Sequence, residues 1–239
     1  MITANQKKFV KSLSQKKFRN IHKCFVVEGI KMVEELLTSN FDIHSIYAVK
    51  DCLVNLNNYD VITISEKELL SISSFKTPNQ ILAVVNYKEN DIADIDNNFS
   101  IVLDNIQDPG NLGTIIRTAD WFGIKNIICS NNSVDIYNPK VIQATMGSIF
   151  RVKVCYTDLR ELISNTSKNV YAAVIEGEDV YKTKLNQNNS YLLMGNESKG
   201  ISEELLPLIK HKITIPKKGL AESLNVSVAT AILCAEFVK

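Results

Sequence analysis

Short apolar runs alternate along this chain with amphipathic stretches and polar turns. In the first 90 residues the pattern predicts a basic helix over about 5–18, strands over 24–29, 43–49, 61–65 and 81–87, and helices over 30–39 and 66–72. These elements indicate a small α/β domain. An acidic, asparagine-rich stretch over 88–99 has no strong periodicity and is typical of a linker. We therefore expect one domain over 1–95 and a second over 96–239.

The second part of the chain alternates strand and helix. Strands are predicted over 100–106, 126–130, 152–156, 170–177, 191–196 and 212–216, and helices over 112–122, 139–146, 158–166 and from about 225. The strands are continuous apolar runs, as expected for strands that are buried on both faces. The fold class predicted here is α/β, with a parallel sheet covered by helices on both sides.

Composition narrows the class of protein. The chain has 239 residues, of which 45% are hydrophobic and 22% charged, enough for one large core or two modest ones. No apolar run approaches the ~20 residues that cross a bilayer, and the lysine-rich start is not followed by the apolar stretch of a secretory signal. Five scattered cysteines predict reduced core residues, and three isolated histidines predict no metal site. We expect a cytoplasmic protein.

Basic charge is concentrated at one end of the chain. Residues 1–27 contain seven basic residues and no acidic one, so the remainder holds 20 basic against 26 acidic residues. A basic cluster interleaved with phenylalanines suits contacts to nucleic-acid phosphates. A solvated amphipathic helix is the alternative that the cluster alone leaves open. Its members are Lys7, Lys8, Lys11, Lys16, Lys17, Arg19 and Lys23.

Three polar, glycine-containing segments follow predicted strands, where sites are built in α/β domains. The first is NIQDPGNLGTIIRTADWFG (105–123). There Asn111 occupies the expected N-cap position of a helix, and Arg117 projects from its second turn. A surface ion pair between Arg117 and Asp120 is the simpler interpretation of that arginine.

The other two segments are LLMGNESKGIS (192–202) and IPKKGLAESLNVSVAT (215–230). Glycines after a strand allow a ligand to approach the backbone closely, and Glu197 either binds a hydroxyl or is an ordinary solvated side chain. Ser223 and Asn225 are typical helix-start residues. Taken together, the three segments predict a site that binds a polar cofactor mainly through backbone groups.

The motifs N-x-G-x-x-x-R (111–117), G-N-E-x-x-G (195–200) and I-P (215–216) followed by S-L-N (223–225) resemble those of the SpoU/TrmH-type RNA 2′-O-ribose methyltransferases of the SPOUT class. PKVIQATMGSIFRVKV (139–154) is similar to the segment between the family's motifs, and FVVEG and ILAVV resemble its N-terminal RNA-binding domain. The resemblance implies a C-terminal domain with a deep trefoil knot, an exception to the usual absence of threading. It also implies bound S-adenosylmethionine and a homodimer whose interface completes the active site.

The resemblance further assigns roles to individual residues. It implies cofactor contacts at Ala173, Gly195, Asn196, Gly200, Ile215, Ser223 and Leu224. It makes Arg117 the residue that acts on the ribose hydroxyl or its adjacent phosphate, ordered by Asn111, Glu197, Ser223 and Asn225. The basic N-terminal residues then become contacts to a ribosomal or transfer RNA.

Three other function classes are alternatives to this one. The principal alternative is a non-catalytic RNA-binding or ribosome-assembly protein that retains the fold. A dinucleotide-dependent enzyme is disfavoured because no G-x-G-x-x-G follows a strand. A protein methyltransferase would leave the basic N-terminal block without a partner.

Overall fold

The computed structural model describes residues 1–88, 90–92 and 99–239. The chain forms two compact units, one of Met1–Glu89 with Asp135–Phe150 and one of Asn90–Val134 with Arg151–Lys239. The predicted domain boundary near residue 95 lies outside the described residues and stays a prediction. Residues 135–150, which a division at 95 would assign to the second domain, pack in the first unit.

The first unit is a mixed α/β domain. Its elements are α1 (Ala4–Ser12), α2 (Lys16–His22), β1 (Cys24–Glu28), α3 (Ile30–Leu37), β2 (Ile43–Ala48), β3 (Val61–Thr63), α4 (Glu66–Ile72) and β4 (Ile81–Asn86). The sheet order is β1-β4-β2-β3, antiparallel except for the β2–β3 pair. Strand β4 pairs with β1 on one side and β2 on the other, and its first five residues are all apolar and buried. The α/β class expected for this part of the chain is confirmed.

The basic helix predicted over about 5–18 is two helices. Helix α1 ends at Ser12, Leu13 serves as its C-cap, and α2 begins at Lys16. The guanidinium of Arg19 donates to the carbonyl oxygens of Leu13 (3.1 Å) and Ser14 (3.0 Å). Because these carbonyls lie past the end of α1, the arginine satisfies groups that a continuous helix would have bonded internally.

The second unit is built on six strands. Its elements are β5 (Ser100–Leu103), α5 (Pro109–Trp121), β6 (Asn126–Ser130), β7 (Lys153–Thr157), α7 (Leu159–Asn165), β8 (Asn169–Asp179), β9 (Ser190–Met194), β10 (His211–Thr214) and α8 (Val226–Phe237). The order is β10-β8-β9-β5-β6-β7, and every pair is parallel. The parallel sheet predicted from continuous apolar runs is confirmed. Its trefoil knot stays a prediction.

Strand order places a topological switch point between β5 and β9. From β5 the chain proceeds outward to β6 and β7, and it later fills the other side with β8, β9 and β10. In open parallel sheets, ligands bind outside the carboxyl ends of strands at such a reversal. The loops after β5 and β9 therefore flank the position where a site is expected.

Residues 135–150 complete the core of the first unit. They contain α6 (Pro139–Thr145) and a short 3-10 turn over Ser148–Phe150. The ring of Tyr137 stacks on Phe25 (4.5 Å between centroids) and on Tyr87 (4.0 Å). Asp135 forms a 2.6 Å ion pair with Arg19. Buried aromatic area and a buried charge pair thus hold this distant segment against the N-terminal elements.

Candidate active site

Helix α5 begins three residues earlier than predicted, at Pro109. Its N-cap is Asp108, whose Oδ1 accepts a 2.9 Å hydrogen bond from the backbone N–H of Asn111. The assignment of Asn111 as the N-cap was therefore wrong. Proline suits the first helical position because its φ is preset and it lacks an N–H that would need a partner. Because Asp108 caps the helix, the side-chain amide of Asn111 is available for contacts outside α5.

Four polar side chains connect the three motif segments. Asn225 Nδ2 donates to Asn111 Oδ1 (2.9 Å), and Asn111 Nδ2 donates to Glu197 Oε1 (2.9 Å). Asn196 Nδ2 donates to Glu197 Oε2 (3.3 Å) and to the carbonyl of Asn105 (2.8 Å). We call Asn111, Asn196, Glu197 and Asn225 the amide–carboxylate chain. It joins residues 86 to 114 positions apart at the switch point.

The residues at the two ends of the amide–carboxylate chain, Asn225 and Glu197, determine which group donates in each of its hydrogen bonds. Asn225 is the N-cap of α8, and its Oδ1 accepts from the N–H groups of Ser227 (2.9 Å) and Val228 (3.4 Å), so only Nδ2 remains to donate. The carboxylate of Glu197 can only accept. Asn111 must therefore accept from one neighbour and donate to the other, which an amide can do and a carboxylate cannot. The helix-start role predicted for Asn225 is confirmed.

The loop after β9 is a narrow turn that depends on glycine. Asn196 and Gly200 exchange two backbone hydrogen bonds, of 2.8 and 2.9 Å. A Cβ on Gly195 would lie 2.3 Å from the carbonyl carbon of Gly200 and 2.4 Å from the nitrogen of Ile201, so no larger residue fits without moving the backbone. The side-chain oxygen of Asn196 accepts from two further N–H groups of the turn. The backbone here is accessible and held in one conformation.

Sequence reasoning missed Asp104, the residue directly after β5. It is 4% exposed, and its Oδ2 accepts from the backbone N–H and the hydroxyl of Ser202, each at 2.7 Å. Asp104 N also donates to the carbonyl of Met194 at 2.9 Å. This carboxylate fixes the far end of the glycine turn to β5. The available signal was an acidic residue directly after an apolar strand.

The structure does not bring Arg117 into the amide–carboxylate chain. Its side chain is exposed and, among the described residues, makes no hydrogen bond or ion pair. The pair with Asp120 that the sequence allowed is not formed, because Asp120 binds the guanidinium of Arg151 (2.8 and 2.9 Å). Arg117 is therefore an exposed cation on helix α5 with no partner among the residues that the structure describes. Ser223 is likewise exposed and has no partner in the described part of the chain.

Of the residues expected to hold a cofactor, Ala173 lies within β8 just after its pairing with β9 ends, and the others lie in the loops that follow β9 and β10. Ala173, Gly195 and Ile215 are partly buried, whereas Leu224 is 49% exposed. Pairing of β8 with β10 jumps from Ala172–Lys212 to Glu178–Ile213, so residues 173–177 stand outside the regular register. A backbone-lined edge of this kind, with Gly195 kept free of a side chain, fits a polar cofactor bound through amide groups.

The N-terminal cluster divides into surface lysines and one internal arginine. Lys8, Lys11, Lys16, Lys17 and Lys23 are exposed, and Lys7 is partly exposed. Arg19 is only 2% exposed and is bonded to Asp135 and two carbonyls. A guanidinium occupied in this way is not presented to a ligand, so the structure does not support an RNA contact by Arg19.

Comparison with known proteins identifies the family. Residues 98–235 match the SpoU rRNA Methylase family, and residues 5–83 match an MRM3-like substrate binding domain. This chain belongs to the SpoU rRNA methylase family. The three motifs over 111–117, 195–200 and 215–225 lie within the first match. The expected fold class of the second domain, a SPOUT-type α/β domain, is confirmed by this membership together with the parallel sheet.

Of three relatives, two match nearly the whole chain and the third matches about two thirds of it. The protein is 32% identical over 237 residues to "23S rRNA (guanosine(2553)-2′-O)-methyltransferase RlmP" of Bacillus subtilis, covering 96% of this chain and 94% of that protein. It is 32% identical over 162 residues to "23S rRNA (guanosine-2′-O-)-methyltransferase RlmB" of Escherichia coli (64% and 66%). The AdoMet-bound rRNA methyltransferase of Sinorhizobium meliloti superposes with a TM-score of 0.89 at 29% identity, covering 99% and 95% of the two chains.

Other reactive groups in this SpoU-family protein are inert or absent from the described residues. Four of the five free cysteines are buried, and burial raises the pKa of the Cys155 and Cys234 thiols to about 12. In the described ranges no group of three His, Cys, Asp or Glu side chains forms a metal site. None of the described helices is long and apolar enough to cross a membrane.

Proposed function

We propose that this protein transfers a methyl group from S-adenosylmethionine to a ribose 2′-hydroxyl in structured RNA, either ribosomal or transfer RNA. The observation that carries the proposal is the amide–carboxylate chain, which unites all three motif segments at the switch point of a parallel sheet. Relatives that match this chain are named 23S rRNA 2′-O-methyltransferases, so 23S rRNA is the first substrate to test.

The cofactor would be held mainly by backbone groups. The residues proposed are Ala173, Gly195, Asn196, Gly200, Ile215, Ser223 and Leu224. When bound, S-adenosylmethionine supplies an electrophilic methyl group on a sulfonium that departs as a neutral thioether and needs no acid. Support comes from the fixed turn at Gly195, where a side chain would clash with the backbone of Gly200.

Arg117 is proposed to position the reacting nucleotide. A 2′-hydroxyl is a weak nucleophile at neutral pH and must lose its proton as it attacks. An arginine stays protonated, so its guanidinium serves better as a donor to the adjacent phosphate than as a base. The exposed, unpaired side chain of Arg117 suits that role. Asn111, Glu197, Ser223 and Asn225 would order the ribose and cofactor around it.

A homodimer is proposed through helices α5 and α8, which pack against each other. On these helices Trp121 is 85% exposed and Val228 is 48% exposed. Large apolar side chains left exposed on two helices that pack together support a protein contact at that face. Because Arg117 lies on α5, a two-fold interface through these helices would place Arg117 close to the partner subunit. Light scattering of the purified protein measures the oligomeric state.

The first unit is proposed to bind the RNA substrate. Its five exposed lysines at the N-terminus, together with Lys7, can neutralise phosphates, and the match to an MRM3-like substrate binding domain supports the assignment. Cytoplasm stays the predicted compartment, in keeping with five free cysteines.

Methyl transfer is tested directly with purified protein, radiolabelled S-adenosylmethionine and unmodified 23S rRNA transcript, followed by nuclease digestion and mass spectrometry of the nucleosides. We expect one 2′-O-methyl nucleoside. Arg117→Ala should abolish it while cofactor affinity and melting temperature stay unchanged, because the side chain has no partner in the described fold. Arg117→Lys is the matched control, keeping the charge without the planar fork of donors. Cofactor binding without transfer to ribosomal or transfer RNA would favour the non-catalytic alternative.

A further inference from the structure

The loop that connects β10 to α8, residues 215–225, is exposed over most of its length, and the proposed cofactor and catalytic contacts involve only its two ends. Each residue from Lys217 to Asn225 is exposed, and Leu220 is 102% exposed. Across residues 216–224, no group forms a hydrogen bond or ion pair with any described residue. The loop therefore presents its side chains to solvent rather than to the fold.

Both ends of this loop are nevertheless fixed. At one end, the carbonyl of Thr214 accepts from Val180 N (3.0 Å), and its hydroxyl donates to the carbonyl of Ile175 (2.9 Å). At the other end, Asn225 caps α8 and belongs to the amide–carboxylate chain. The middle of the loop makes no hydrogen bonds to described residues, whereas its two ends are bonded to the fold next to the candidate active site. Loops positioned by a scaffold in this way often carry ligand contacts.

Charge indicates what that ligand is. The sequence of the second unit holds 14 Lys and Arg against 16 Asp and Glu, so its formal net charge is −2 and it has no overall excess of positive charge to attract a polyanion. Lys217 and Lys218 are adjacent, exposed and unpaired among the described residues, and Glu222 is the single acid of the loop. Two lysines with no partner in the fold suit phosphate groups close to the reacting sugar.

Leu220 adds a contact of a different kind. A single exposed leucine is ordinary on a protein surface. This one lies at the tip of an unbonded loop, two residues after the lysine pair. Proteins that hold nucleotides out of a stack commonly place an apolar side chain against a base while cations bind the backbone. Lys217 and Lys218 supply the cations of such an arrangement, and Leu220 supplies the apolar side chain.

We propose that the 215–225 loop is an RNA clamp, in which Lys217 and Lys218 bind phosphates flanking the target nucleotide and Leu220 packs on a neighbouring unstacked base. The inference rests on the proposed RNA methyltransferase function and extends it to the contacts that hold the RNA at the reacting site. These contacts are separate from those of the N-terminal lysines, which belong to the first unit.

The lysine part is tested by measuring RNA affinity over a range of salt concentrations. The double variant Lys217→Gln/Lys218→Gln should flatten the slope of log K against log salt by about 1.4–1.8, since each lost phosphate contact removes about 0.7–0.9. Affinity for S-adenosylmethionine should not change. Lys210→Gln/Lys212→Gln is the matched control, because it makes the same charge change on exposed residues around the start of β10. A slope equal to that of wild type, or an equal change in the control, overturns the clamp.

The leucine part is tested by placing a photo-crosslinking amino acid at position 220 and, as control, at the 76% exposed Leu53 of the first unit. With 23S rRNA transcript we expect crosslinks from position 220 at nucleotides beside the methylated ribose, and none there from position 53. Crosslinks to a second copy of the chain would overturn the clamp and assign the loop to a dimer interface. An active wild-type protein with no such crosslink removes the clamp alone, whereas a wild-type protein without methyl transfer removes the proposed function.

Discussion

Reversing the hydrogen-bond direction of the amide–carboxylate chain gives the sharpest test of the site. In Asn225→Asp the introduced carboxylate still caps α8, because it accepts from the same N–H groups and suits the positive end of the helix. It can no longer donate to Asn111. If Asn111 rotates to donate to it, the oxygen of Asn111 then faces the carboxylate of Glu197. In either orientation one hydrogen bond is replaced by a contact between two oxygens.

The size of the effect follows from those bonds. A hydrogen bond to a charged group contributes about 1.5–3 kcal/mol. Asn225 is exposed, which favours the lower end, and a negative charge at the helix N-terminus returns about 0.3–1 kcal/mol. We expect a net loss of about 1 kcal/mol, a decrease of about 2–4 °C in melting temperature for a chain of this size.

A second substitution should restore the chain with its direction reversed. In Asn225→Asp/Glu197→Gln, the introduced amide donates to the oxygen of Asn111, its own oxygen accepts from Asn196, and Asn111 donates to position 225. The double variant should be more stable than the sum of the single effects by about 1 kcal/mol, and Asn225→Ser serves as a control that keeps a cap without adding charge. Thermal denaturation of wild type, Asn225→Asp, Glu197→Gln and the double variant measures the coupling. If the two single-variant changes in the free energy of unfolding add up to that of the double variant within about 0.5 kcal/mol, the hydrogen bonds proposed for the amide–carboxylate chain are refuted.

Three further predictions concern the cofactor, the RNA and the stability of the first unit. Gly195→Ala should lower S-adenosylmethionine affinity by about tenfold or more, because its Cβ would lie 2.3 Å from Gly200, and calorimetry with an unchanged Kd would contradict this. Lys16→Glu/Lys17→Glu should weaken RNA binding and its salt dependence while sparing cofactor affinity, since both lysines are exposed; equal losses of both affinities would instead indicate misfolding. Arg19→Met should lower the free energy of unfolding by about 3 kcal/mol, the lower end of the cost of breaking a buried ion pair, because the side chain of Asp135 is 13% exposed.

Local sequence patterns determined most of the elements of this protein. Continuous apolar runs such as those of β5, β6 and β9 predicted a parallel sheet. A strand that is buried on both faces has apolar residues at successive positions and does not alternate between polar and apolar residues. Asn225 was found as a helix cap because a cap bonds only to residues two or three positions away. Asn111 was wrongly predicted to cap α5 because Asn is a common N-cap residue, whereas the helix begins at Pro109 and Asp108 caps it.

Tertiary structure alone decided which polar residues meet. Arg19 counted as one more surface cation in the sequence, yet its partner Asp135 is 116 residues away and buries it. Asp104 and Ser202 are separated by 98 residues, and Asn111 and Glu197 by 86. Periodicity reports only on neighbours along the chain, since each helix or strand repeats within a few residues. Contacts between distant loops depend on strand order, so the pattern identified the motifs and the folded sheet brought them together.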